Sequence, residues 1–120
     1  MLPVLLGIED EDVLLVLVYR HPNGGSIANF IYQLTYELRQ LPTDKYRTLV
    51  LGDFNIDQML QENVLAFGDF CTQFHFTQRS KYSTFRDGGI LDLVFDNQKS
   101  DAVKWTPSPY SDHFVLIIDI

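Results

Sequence analysis

With 120 residues the chain is long enough for one modest core, and 46% hydrophobic content with 13% aromatic residues excludes a disordered segment. Its 9 Lys+Arg against 16 Asp+Glu give a formal charge of -7, which argues against unaided binding to a polyanion; a phosphate-bearing substrate would need a cation. The single cysteine, Cys71, excludes an internal disulfide and reads as a buried packing thiol in a reducing compartment.

The opening Leu2-Pro3-Val4-Leu5-Leu6 lacks a basic leader and runs into Glu9-Asp10-Glu11-Asp12, so it is not a signal peptide. The longest apolar run, Val13 to Val18, is too short for a membrane span, and the expectation is a soluble intracellular protein with no membrane partner. Neither a repeat nor a linker divides the chain, which reads as one domain or part of one. Pro3 to Ile8 and Val13 to Tyr19, parted by the acidic tetrapeptide, predict a hairpin whose second strand is buried on both faces.

Beyond the Pro22-Asn23-Gly24-Gly25 loop, Ser26 can cap a helix carrying Ile27, Phe30, Ile31, Leu34, Leu38 and Leu41 at helical spacing. Thr48 to Leu51 is a short buried strand stopped by Gly52, and Glu62 to about Phe74 reads as a second helix. Further strands are expected near His75 to Thr77, Ser83 to Phe85, Gly89 to Phe95, Ala102 to Trp105 and Phe114 to Ile120. Two helices and about seven strands predict an α/β sandwich.

Three polar insertions interrupt this apolar pattern: Asp53 and Asn55 in Gly52-Asp53-Phe54-Asn55, Asp92 in Ile90-Leu91-Asp92-Leu93-Val94, and Asp112-His113 before the last strand. Such groups are costly beside a core unless they meet and satisfy one another, so they read as one site. A strand period of two would point Asp53 and Asn55 the same way. The carboxylate can hold a divalent cation or take a proton from water, and the neutral amide can donate to a phosphoryl oxygen. The same residues equally suit a plain polar turn. Asp92 alternates with Ile90 and Val94, a charge aimed into a sheet interface or its rim that needs a partner. His113 is the candidate, since an aspartate accepting from one ring nitrogen leaves the other as acid or base; alternatively Ser111-Asp112 merely opens a strand and His113 is a satisfied, half-buried histidine. His21 reads as a solvated loop residue and His75 as an edge-strand residue, and Arg20, Arg79, Lys81 and Arg86 form a thin cluster of candidates for backbone contact.

In order and spacing, Val18-Tyr19-Arg20-His21-Pro22, Leu49 to Asp57, Ser83-Thr84-Phe85, Gly89 to Phe95 and Ser111-Asp112-His113-Phe114 resemble the C-terminal half of the endonuclease/exonuclease/phosphatase superfamily. Within it they are most similar to endonuclease modules of non-LTR (LINE-type) retrotransposons. The resemblance implies half of a four-layer α/β sandwich with a mixed, mostly antiparallel sheet and about two covering helices, spanning residues 1–120 as one partial domain. It implies divalent-metal-dependent phosphodiester hydrolysis with Mg2+ or Mn2+, DNA as substrate of the intact domain, and a nuclear location.

By the same resemblance Asn55 and His113 would contact the phosphate, Tyr19 the phosphate or the metal site, Asp53 would orient or deprotonate the attacking water, Asp92 would orient His113, and Asp112 would assist metal binding. His113 would alternatively serve as general acid or base. Intact members also carry an Asn strand and a metal-binding Glu ahead of this region, without counterpart here; the acids of the hairpin turn lie in the wrong place for that ligand. The chain is therefore expected to be a truncated product whose own activity is doubtful and whose uncovered sheet face invites self-association. Alternative readings are a phosphatase or phosphodiesterase acting on small or lipid phosphates, and a non-catalytic remnant or interaction module.

Overall fold

In the computed structural model, which describes residues 1–8, 10–81, 83–86, 88–98, 103–108 and 111–118, the first two apolar runs fold back on one another. Strands β1 (Leu2–Ile8) and β2 (Glu11–Tyr19) pair antiparallel with Leu6 opposite Val13, and Asp10 turns the chain at a positive φ of 64°. Glu9 of the predicted acidic turn lies outside the described residues.

Helix α1 (Ile27–Leu38) begins as expected at Ser26, whose hydroxyl accepts from Asn29 N at 3.1 Å. It crosses over to β3 (Arg47–Asp53), which therefore pairs parallel with β2, Val18 opposite Gly52 and Tyr19 opposite Asp53. The predicted second helix is two: α2 (Gln61–Ala66) and α3 (Gly68–Phe74) meet at Phe67. Phe67 is 2% exposed, and the break there lets both its ring and that of Phe70 reach the core.

Strands β4 (Thr77–Gln78) and β5 (Asp92–Asp96) complete a five-stranded sheet in the order β1-β2-β3-β5-β4, antiparallel except between β2 and β3. Strands β6 (Val103–Pro107) and β7 (Phe114–Ile118) form a separate two-stranded sheet; Ala102, Asp119 and Ile120 of the expected strands lie outside the described residues. Two expectations shift. His75 caps α3 in the left-handed conformation instead of entering a strand, and the segment around Ser83 to Phe85 contributes a single bridge, Phe85 to His113. The result is the expected α/β class, a mixed, mostly antiparallel sheet with its helices on one face.

Strand alternation divides the apolar residues between the two faces. Leu14, Val16, Val18, Val50, Leu93 and Phe95 join Ile31, Leu34, Phe54, Phe67 and Phe70 in the main core under the helices. Phe54 lies at its centre, fully buried, with its ring 5.5 Å from Phe95 and 6.0 Å from both Phe30 and Phe67. Val13, Leu49 and Val94 form a smaller cluster on the opposite face. That face is only partly covered: Leu17 is 41% and Leu2 58% exposed, so β2 is not buried on both sides as its composition suggested. Arg47 and Asp96 pair at 3.0 Å at its far end, both nearly inaccessible.

Gly52 is the residue that makes the β2–β3 contact possible. Its φ is +145°, and a Cβ there would stand 1.8 Å from the Val18 carbonyl oxygen, a backbone atom that cannot move without breaking the parallel pairing. Gly52→Ala is therefore expected to cost more than about 3 kcal/mol or to prevent folding, measured by urea denaturation. A loss below about 0.5 kcal/mol would contradict the pairing of Val18 with Gly52.

Candidate active site

Phe54 enters the helical core, so its neighbour Asp53 points to the opposite, open face of the sheet. Asp92 opens β5 directly beside it, because Asp53 and Asp92 are register partners across the antiparallel β3–β5 pair. Two carboxylates at one level of adjacent strands repel each other, and His113 stands between them. Its Nδ1 lies 2.6 Å from Asp92 Oδ2 and its Nε2 3.5 Å from Asp53 Oδ2. With Asp92 accepting from Nδ1–H, Nε2 is the ring atom left to face Asp53.

Local structure brings the imidazole there. Phe85 bridges His113 and packs against its ring at 5.1 Å, Arg86 N donates to the Asp112 carbonyl at 2.6 Å, and His113 N donates to Ser111 Oγ at 3.1 Å. The start of β5 is held from two sides. Thr84 Oγ1 accepts from Leu91 N and Asp92 N, both at 3.0 Å, and Asp57 Oδ1 accepts from Ile90 N at 2.9 Å. Neither Thr84 nor Asp57 stands out as chemistry in the sequence; their signal is only that each lies inside a motif block.

Asn55 arrives by a different route from the one its spacing suggested. The strand ends at Asp53, and Asn55 sits at a left-handed φ of 50°, so a strand period does not orient it. Its backbone N–H donates to Asp53 Oδ1 at 3.1 Å, and its Nδ2 donates to the Arg20 carbonyl at 2.5 Å. Tyr19, opposite Asp53 at the end of β2, is 67% exposed on the same face. Asp112 is half-buried, near enough for its charge to act on both Asp53 and His113. His21 is exposed, as expected, and its Nδ1 accepts from Asn23 N at 3.1 Å, a turn contact.

Electrostatics reflects this crowding. Burial first, then the Asp92 charge, raises the Asp53 carboxyl above its ordinary value, while the Asn55 N–H and His113 act against the shift. Burial works against a charged His113, but the Asp92 hydrogen bond and charge, aided by Asp53 and Asp112, outweigh it and raise the imidazole pKa. Cys71, by contrast, is pushed up to about 11 by burial and stays a protonated packing thiol.

Asp53, Asp92 and His113 each offer a ligand atom, and these atoms lie within 4.8 Å of one another. Two hard carboxylate oxygens and an imidazole suit a divalent cation, which would offset the repulsion between the two carboxylates; these donors do not single out one ion. Asp112 is not one of the three clustered donors.

A mixed sheet with helices on one face and acids gathered at its strand ends defines an α/β protein with its polar site on the uncovered side. An endonuclease/exonuclease/phosphatase family protein from Leptotrichia buccalis C-1013-b has this fold, with a TM-score of 0.63 over 98% of the present chain and 18% sequence identity. The chain spans 53% of the length of that structure. No family model matches the chain, and no curated protein does. No helix among the described residues is long and apolar enough to cross a membrane.

The two titrations can be checked without metal. His113 favours folding below about 6.5, and that contribution is lost as pH rises through its raised folded pKa. Asp92→Asn should lower the His113 pKa seen by NMR; an unchanged value would remove Asp92 as its partner. For Asp53 the slope has the same sign, since its folded pKa is also raised: its cost to folding appears as pH rises from 3.8 through the raised folded value and persists at neutral pH. Asp53→Asn, which keeps an acceptor for Asn55 N, should therefore raise the melting temperature at pH 7 and have little effect at pH 3.

Proposed function

We propose that the chain carries the acid/base and phosphate-facing side of a divalent-metal-dependent phosphodiesterase, a DNA endonuclease of the non-LTR retrotransposon type. The observation that carries this reading is the Asp92–His113–Asp53 array, an imidazole held between two carboxylates at 2.6 and 3.5 Å on a face shared with Tyr19. The fold shared with an endonuclease/exonuclease/phosphatase family protein supports the same class of chemistry.

In this reading Asp92 fixes the tautomer and orientation of His113, whose Nε2 exchanges a proton with the reacting group or bonds the phosphate. Asp53, whose carboxyl pKa is raised by burial and by the Asp92 charge, orients or deprotonates the attacking water. Asn55 donates to a phosphoryl oxygen through the Nδ2 hydrogen not directed to Arg20, and Tyr19 approaches the same phosphate from β2. Mg2+ or Mn2+ held by Asp53 and Asp92, with Asp112 assisting, would offset the acidic surface and polarise the phosphate. The remaining metal ligand and the opposing sheet would come from outside these residues, and action on DNA implies a nuclear location for the intact domain.

The formal charge of -7 favours one competing reading, a phosphatase or phosphodiesterase for small or lipid phosphates. Salt separates the two: binding of DNA should weaken steeply with ionic strength, whereas a flat dependence favours the small substrate.

Nicking of supercoiled plasmid in Mg2+ or Mn2+, by the chain alone and by the longest product of its reading frame, tests the assignment. His113→Ala should lower the rate by about 10²- to 10⁴-fold, and a chelator should abolish it. Metal-dependent nicking undiminished in His113→Ala would overturn the roles of His113 and of Asp92 behind it.

The open face suggests a second copy of the chain as its occupant when nothing else covers it, since Leu2, Leu6 and Leu17 stand 58%, 37% and 41% exposed on it. Sedimentation should show dimers at high concentration that Leu17→Lys dissociates. A wild-type monomer across the whole range would argue against this.

A further inference from the structure

Arg20 follows the last residue of β2, is 6% exposed, and makes no ion pair with the other described residues. A cation buried among dipoles alone is unusual, because such groups are normally paired with a carboxylate. Its contacts show what it does there. Nη1 donates to the Asn55 carbonyl at 3.1 Å, Nη2 to the Gly25 carbonyl at 2.7 Å, and the backbone N–H to the Asp53 carbonyl at 2.9 Å. The guanidinium carbon lies 5.8 Å from the Phe30 ring centre, while Nε is buried without a partner among the described residues.

Asn55 answers in kind, its Nδ2 donating to the Arg20 carbonyl at 2.5 Å. Each of these two residues thus bonds the other's carbonyl through its own side chain. The exchange matters because Asn55 is at a left-handed φ of 50°, a conformation that an L-residue holds only when its surroundings favour it. It matters also because a carboxamide is planar: with one Nδ2 hydrogen directed to Arg20 O, the direction of the other is set as well.

We infer that Arg20 is a positioning residue, whose forked guanidinium ties the Asn55 turn to the Gly25 loop and thereby aims the free Asn55 N–H at the phosphate. This rests on the reading of Asn55 as a phosphate donor, but the clamp itself is a separate claim. Only a planar fork with several donors reaches two carbonyls from two loops at once, and a lysine ammonium at that depth does not reproduce it. Arg20 is one of the four basic residues that the sequence offers for contact with a nucleic-acid backbone; at 6% exposure it is better placed to organise the site than to touch a ligand.

NMR on the full chain tests this without turnover. In Arg20→Lys and Arg20→Met the side-chain amide protons of Asn55 should exchange with solvent about tenfold faster than in the wild type, while the His113 titration stays in place. In the wild type, inorganic phosphate should shift the Asn55 side-chain signal, and half-saturation should need about tenfold more phosphate in Arg20→Lys. A folded Arg20→Lys chain with wild-type exchange at Asn55 overturns the proposal. If neither Arg20 variant folds, Asn55→Ala decides from the other side: it loses the return bond and disfavours the left-handed turn, so the Arg20 Nη protons must exchange faster, and unchanged protons overturn the clamp. Should phosphate leave Asn55 of the wild type unmoved, the functional reading fails, and the exchange rates still judge Arg20.

Discussion

Two carboxylates at the same level of neighbouring strands are the constraint around which the polar side of this molecule is arranged. Asp53 and Asp92 are paired by the register of β3 and β5, and neither can leave without slipping a strand that is anchored in the core. Burial, and after it the Asp92 charge, raises the Asp53 carboxyl, and His113 answers the repulsion by standing within 2.6 Å of one acid and 3.5 Å of the other. The surrounding contacts at that rim hold these three groups in place. Thr84 and Asp57 secure the start of β5, the Phe85 bridge secures His113, and Arg20 secures the turn after Asp53.

The stability that makes this tolerable comes from the other side of the sheet. Phe54 sits between the two polar motif residues in sequence but lies at the centre of the aromatic core, with three phenylalanine rings within 6.0 Å. Burying such a ring contributes roughly 3 kcal/mol or more, enough to hold one adjacent carboxylate in a crowded position. Gly52 complements it. By letting the β3 backbone approach the Val18 carbonyl, it places the end of β3 level with Tyr19 at the end of β2, so that Asp53 and Tyr19 share one rim.

The open face carries leucines and the acid cluster together, because Leu15, Leu17, Leu49, Leu51, Asp53, Val94 and Asp92 alternate onto the same side of the sheet. Whatever layer covers the leucines will therefore also border the site. Nearly all of this chain matches 53% of the structure whose fold it shares. Covering the apolar surface and enclosing the acids would then be one event, excluding water from both.

Much was legible in the amino-acid order. Strand alternation in β5 marked Asp92 as a charge needing a partner, Ser26 marked the start of α1, and the succession of polar motifs pointed to the fold that the chain adopts. These depend on near neighbours along the chain, where residue type and spacing suffice. What spacing could not supply were contacts between distant segments. The break at Phe67 followed from the demand of two rings for the same core, the placement of Asn55 from a left-handed turn instead of a strand period, and the solitary bridge at Phe85 from its pairing with His113. Arg20 is the plainest case: in sequence it is a basic residue after a strand, equally suited to solvent or to a phosphate. Only the tertiary structure, which closes residues 35 positions apart onto each other's carbonyls, decides that it is buried and that it faces Asn55. Local pattern determined which groups must be satisfied; the packing of the sheet determined by whom, since hydrogen bonds of that range exist only once the strands have met.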